Sequence, residues 1–401
     1  MPANDPKTPT RSPRATRILF VVLVGLIPTI FVLRQFSPAF GFARLLICGS
    51  QFVERAVPEL KALDPPCVNA TGYDGQFYAQ LATDPFLRGP AIRGALDAPV
   101  YRARRILLPL LSWTFAFGQP ALALQIYSAI NLLFFWALLC GMVRILRPAS
   151  AFQYACIAAA VLGTGSLVSI ARALVDLPAA TFVFFGAALG GTMGAASLGA
   201  AMLTRETSFL AIGALLSPGC WQSPQDIRRH APRLAIACVP LALWLAFVFV
   251  RFGGDAAAGV GNFGWPFVQL TQTIWNNFAA LPETTFRFPW FRITSWEFRL
   301  VECLAPLSML VQAIYLIRYR NPGSAYWRAG IAFVPLFLCL GSAVLYEHLN
   351  YLRALLPMTI AFQIELMRAT APSRWAWFAA GNLGLGLEFH GLLVKIILPS
   401  S

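Results

Sequence analysis

Between Gly72 and Arg105 the chain reads GYDGQFYAQLATDPFLRGPAIRGALDAPVYRARR, a polar passage in otherwise apolar sequence that carries Asp74, Asp84 and Asp97 and ends in Arg102, Arg104 and Arg105. A carboxylate can take a proton from an attacking hydroxyl, and a guanidinium grips phosphate bidentately. Together these residue types suit group transfer from a phosphate-bearing donor. Apolar segments on both sides place the passage at a membrane surface, where low dielectric strengthens each charge. In Tyr73-Asp74-Gly75-Gln76-Phe77-Tyr78 aromatic rings flank the acid, with Tyr73, Gln76 and Tyr78 as its supporting groups. A plainer reading makes Asp74 the N-cap of a short helix, satisfying the amides of Gln76 or Phe77. The two are compatible, because a fixed carboxylate is also a pre-positioned base. Asp84, before Pro85, and Asp97, just ahead of Pro99, read as turn or cap residues. Arg102, Arg104 and Arg105 either hold a lipid-linked phosphate or anchor the next helix to lipid headgroups.

Further along, Asp176 follows Arg172 and precedes Leu177-Pro178, where an ion pair or a helix cap accounts for it. The same position, between two outward helix ends, suits it to join Asp74 in holding an acceptor or a divalent cation such as Mg or Mn. Arg205 and Glu206 lie in apolar surroundings and are adjacent, so in a helix they point apart and need separate partners. Glu347-His348-Leu349-Asn350-Tyr351-Leu352-Arg353 forms another polar turn, in which Arg353 either meets a phosphate or snorkels to the interface. Metal-ligand spacings such as CxxC or HExxH do not occur, and His230, His348 and His390 are far apart. Cys48 and Cys67 share one loop, so a disulfide across it is one reading and two free thiols the other.

The elements that must position these groups are membrane helices. Of 401 residues 58% are hydrophobic and only 12% charged, against about a quarter charged in soluble domains; mean hydropathy is +0.64. The net charge of +14 is scattered between apolar segments and is not gathered on one polar face, so it reads as topology signals and contacts to membrane lipids, not nucleic acid. Residues 1–17 form a basic cytoplasmic tail and 18–401 a single membrane domain. The span at 18–33 reads as an uncleaved anchor, since Arg34 follows the apolar run.

An outer loop at 37–118 closes with Ile106 to Phe117, too short to cross a bilayer that needs about twenty residues. Further spans are expected at 121–143, 151–170, 177–192, 194–217 as an interrupted hairpin, 234–250, 300–317, 329–346, 352–367 and 375–397, about ten or eleven crossings in all. A second outer loop, 252–299, holds Phe267, Leu270, Thr271, Ile274, Phe278 and Leu281 at helical spacing, which predicts an amphipathic helix on the membrane surface. With this orientation, all of the 17 acidic residues except Asp5, Asp226, Glu365 and Glu388 face outward. Soluble nucleotide sugars are cytoplasmic, so an outward-facing transferase needs a donor carried in the membrane.

The run Tyr73 to Tyr78, then Asp84-Pro85, Tyr101-Arg102, Arg105-Ile106-Leu107 and Pro109-Leu110, resembles the first outer loop of bacterial GT-C-type integral membrane glycosyltransferases of cell-surface glycopolymer assembly. Members carry an essential acid in that loop, and Asp74 matches its position. Asp176 looks like a second acidic position found in some members. Thr204-Arg205-Glu206-Thr207 is similar to a short Lys/Arg-Glu element of the family. No DD or DxD pair adjoins Asp74, a departure from the pattern. The resemblance implies an all-α GT-C-like fold in a bacterial inner membrane. It also implies a polyprenyl-phosphate-sugar donor and a glycan, lipid or protein acceptor on the outer side.

On this reading Asp74 and Asp176 are the catalytic acids, and Arg102, Arg104, Arg105 and Arg353 hold the donor phosphate. Tyr73, Gln76, Tyr78, Asp84, Arg205, Glu206, Glu347 and His348 support them. The alternatives are a transporter or flippase of a lipid-linked glycan, to which Glu388 within the last span would belong, and a non-catalytic subunit of a glycopolymer assembly complex.

Overall fold

The computed structural model describes residues 14–219, 224–253, 259, 261–281 and 295–386, the side chains of 224–227 and 295–297 excepted. Most of the basic tail, Asp255, Glu283, Trp290, Glu388 and His390 lie outside them, as does the side chain of Glu297. Among the described residues the chain is all-α, with isolated β-bridges and no strand.

Four helices are long and apolar enough to cross a membrane: Arg14–Arg34, Pro120–Leu146, Arg228–Phe252 and Phe298–Arg318. A fifth is made by Ala151–Val161 and Thr164–Ala171 if the pair, bent by 41°, is one span. This is consistent with a multi-pass membrane protein, because helices satisfy their own backbone polar groups where no water is present. Side-chain burial agrees. Leu243, Phe249 and Val250 stand exposed on Arg228–Phe252, and Ile18, Leu19 and Leu33 on the first helix, which suits contact with lipid better than with water. The first helix leans on Pro120–Leu146, where Trp136 donates its indole N–H to Thr29 at 3.1 Å.

Elsewhere the expected spans are broken into shorter pieces. Asp176–Leu189 and Gly191–Thr204 form a tight hairpin of 14-residue helices, each about 21 Å long against a hydrocarbon core of about 30 Å. The interruption expected at Thr204 is present: the helix stops there, Arg205 is extended, and a 3-10 helix runs over Glu206–Leu215. The continuous spans expected at 329–346 and 352–367 are corrected. The first divides into Ala325–Ile331, Phe333–Leu338 and Ser342–Leu345, and the second begins as His348–Ala354 before Leu356–Met367 takes over. Pro335 and Pro357 lack the amide hydrogen a continuous helix needs, and their rings crowd the preceding turn.

The first outer loop is a chain of short helices: Pro58–Leu63, Asp74–Leu81, Pro90–Ala95, Pro99–Ala103 and Leu107–Phe115. Three of them start on proline, whose fixed φ and missing donor suit the first helical position. In the second loop the expected amphipathic helix is Val268–Ala279, with Leu270 buried and Trp275 and Phe278 exposed.

Two glycines set the distances that matter for the site. A Cβ on Gly75 would lie 2.2 Å from the carbonyl oxygen of Arg172, and one on Gly165 would lie 2.6 Å from that of Leu352. Their bare backbones let Asp74–Leu81 and His348–Ala354 abut the segment 164–173 directly.

Candidate functional site

Asp74 begins its helix, but it is not the cap. The N-cap is Tyr73, and no side chain bonds the first amides. The carboxylate is engaged elsewhere: Oδ1 lies 2.9 Å from Arg102 Nη1, and Oδ2 lies 2.9 Å from Arg353 Nη2. Asp176 also opens a helix without capping it. Its expected partner Arg172 is not the one it takes. Asp176 pairs through Oδ1 with Arg205 and through Oδ2 with Arg353 Nη1 at 3.2 Å. Arg353 therefore bridges the two acids, which overturns the snorkelling alternative: its side chain is only 11% exposed.

The network continues from Arg102. Asp97 clamps it with two bonds, from Nε at 2.8 Å and Nη2 at 2.7 Å, so Asp97 is more than the turn residue expected. Tyr78, one helical turn after Asp74, receives Nη1 bonds from Arg102 at 3.4 Å and Arg105 at 2.6 Å. Arg105 is held by Glu206 through two bonds of 2.9 Å and donates to the Tyr101 hydroxyl at 2.8 Å. Arg205 and Glu206 thus take separate partners, as their adjacency required. Tyr73 closes the other edge, donating to Asn350 at 2.5 Å under the guanidinium of Arg172 at 4.1 Å. Glu347 sits 3.8 Å from Arg172.

Electrostatically the core is balanced. Arg102, Arg105, Arg205 and Arg353 face Asp74, Asp97, Asp176 and Glu206, four cations against four anions. Burial alone would raise the pKa of Asp74, but Arg102 and Arg353 outweigh it and hold the carboxyl well below the usual range. The acid is ionised, and its proton affinity is low while both guanidiniums stay.

Other residues predicted for the site stand apart from it. Arg104 is half-buried at the end of Pro99–Ala103 and joins none of these pairs, because consecutive side chains there point different ways. Gln76 is structural: it accepts from the Gly49 amide at 3.0 Å and donates to the Thr71 carbonyl at 2.9 Å. Asp84 closes a turn by accepting from the Gly89 amide at 2.7 Å. His348 faces Glu302 at 3.9 Å and packs edge-on to Phe298. Cys48 is buried and Cys67 exposed, and both are free thiols, although the Val68 amide bonds the Cys48 carbonyl at 3.0 Å.

Asp74 and Asp176 do not fit a shared divalent cation in this arrangement. All four of their oxygens are held by guanidiniums, and Arg353 lies where a bridging ion would sit. Among the described residues no group of three or more His, Cys, Asp or Glu could hold a metal.

Sequence reasoning missed Tyr101 and Asn350 as site residues. Tyr101 precedes Arg105 by four positions and Asn350 precedes Arg353 by three. That helical spacing was the available signal. The chain matches no protein-family model, no curated protein and no solved structure.

Proposed function

We propose that this chain is an integral membrane glycosyltransferase that moves a sugar from a polyprenyl-phosphate donor to an acceptor on the outer face of a bacterial inner membrane. The reading includes a GT-C-like arrangement of about ten or eleven crossings, with the shorter apolar helices completing the spans. One observation carries it: Asp74, Asp176, Arg205, Glu206 and Arg353, drawn from four separate parts of the chain, meet in one largely buried network, with Asp176 fully enclosed and the others partly exposed. Buried charge is costly and needs a compensating purpose, and a phosphate leaving group is what arginines of this kind recognise.

The reaction is a displacement at the anomeric carbon. The acceptor hydroxyl attacks, Asp74 takes its proton, and Arg353 and Arg102 steady the departing lipid phosphate. A carboxylate pinned by two guanidiniums is a weak base, so Asp74 gains the basicity it needs only as they turn to phosphate.

A second reading, a non-catalytic subunit, is favoured by the charge balance: each of the four guanidiniums already has a carboxylate. The test is reconstituted protein with radiolabelled polyprenyl-phosphate sugar. Turnover without an ion gradient is expected. In the Asp74→Asn variant transfer should fall by roughly 10²–10⁴-fold with expression intact. Undiminished transfer by that variant removes Asp74 from the chemistry. Donor that crosses the bilayer unchanged makes the protein a transporter.

A further inference from the structure

We propose that Asp74 occupies the seat of the ligand's phosphate in the resting protein, and that a phosphate-bearing lipid enters by displacing this carboxylate from Arg353 and Arg102. Asp176 and Asn350 keep Arg353 in place during the exchange. This rests on the reading above that the site takes such a lipid; what it adds is which bond gives way.

Of the two acids that each bridge a pair of guanidiniums, Asp74 and Asp176, the pairing pattern singles out Asp74. Both of its guanidiniums have other anchors: Arg102 keeps two bonds to Asp97, and Arg353 keeps Asp176 at 3.2 Å and Asn350 at 3.3 Å. Displacing Asp74 therefore strands no cation. Removing Asp176 would leave Arg205 without a carboxylate, on the Thr207 hydroxyl, and removing Glu206 would leave Arg105 on two tyrosine hydroxyls.

Exposure points the same way. The Asp74 side chain is 23% exposed and that of Asp176 is 0%, so of the two acids on Arg353 an arriving anion meets Asp74 first. Asp74 makes no capping bond, so its departure costs its helix no amide partner. Arg353 also keeps a donor in reserve, since its buried Nε has no hydrogen-bond partner among the described residues. With Nη2 released, Nε and Nη2 form the two-toothed edge that a phosphate matches.

The competition has a measurable sign. If Asp74 holds the seat for 90–99% of the time, apparent affinity is lowered roughly ten- to a hundredfold relative to an empty seat. The probe is decaprenyl phosphate, titrated into the purified full chain in nanodiscs, with inorganic phosphate as a second arm. Asp74→Asn should bind the lipid roughly ten- to a hundredfold more tightly than wild type. Asp176→Asn should bind it more weakly, because Arg353 loses its anchor. Asn350→Ala, a milder change on the other side of Arg353, should also weaken binding, and it keeps the test open if Asp176→Asn fails to fold. Inorganic phosphate should compete poorly. Competition as strong as the lipid's would overturn the lipid as ligand.

Equal or weaker binding by Asp74→Asn overturns the exchange, as does the absence of binding in every variant. Tightening by Asp176→Asn to the same degree also overturns it, since net charge would then explain both. Binding is read without turnover, so the exchange stands or falls independently of whether the wild-type protein transfers sugar.

Discussion

Arg353 is the residue whose removal the structure makes most consequential. At 2.9 Å from Asp74 and an effective dielectric of about 20, the direct attraction is about 6 kcal/mol, and at 3.2 Å from Asp176 it is about 5 kcal/mol. Desolvation cancels most of each, and Arg102 and Arg205 remain on the two acids when Arg353 goes. Arg353→Ala should still destabilise the fold by about 3 kcal/mol, the low end for breaking a buried pair.

The decisive quantity is the coupling, measured by double-mutant cycles with Asp74→Asn and Asp176→Asn using reversible SDS unfolding in mixed micelles. Contacting residues of this kind couple by about 1–3 kcal/mol. The Asp176 cycle should give the larger value despite its longer distance, because that carboxylate is wholly buried and Asp74 is partly solvated. Coupling below about 0.5 kcal/mol in both cycles would refute the bridging role, since residues without mutual contact give no more.

Three further outcomes follow from the same geometry. Because the folded-state pKa of Asp74 is depressed, its contribution to stability is present above the ordinary carboxylate value of about 4 and is lost as pH falls below it. The melting difference between wild type and Asp74→Asn should therefore be constant from pH 8 to 5 and shrink at lower pH. A difference that changed between pH 8 and 6 would point to another group. Burial, with the neighbouring Cys67, pushes the Cys48 thiol up to about 12. After reduction, maleimide should modify exposed Cys67 and spare Cys48 in the folded protein, and equal labelling of both by mass spectrometry would contradict the loop's packing. Gly75→Ala places a methyl 2.2 Å from the Arg172 carbonyl, so the helix carrying Asp74 must move. It should lower stability by about 1–3 kcal/mol, and an unchanged melting profile would show the contact to be slack.

The sequence by itself determined the long helices and the chemical vocabulary, while the breaks within 329–346 and 352–367 came only with the structure. Composition established the membrane class, and apolar runs located the long helices. The helical spacing from Phe267 to Leu281 announced Val268–Ala279, and the polar run Gly72–Arg105 held Asp74, Asp97, Arg102 and Arg105. These are local properties, set by residues a few positions apart, and a chain read in order displays them.

The assignment of partners was decided only by the tertiary structure. Arg353 meets Asp74 across 279 positions and Asp176 across 177, and no periodicity registers such distances. The pairing follows from how closely backbones approach at Gly75 and Gly165, which brings three helix ends to one point. Charge tolerates any opposite partner, so sequence leaves the choice among arginines open; packing closes it, placing Arg353 between the two acids and leaving Arg104 outside.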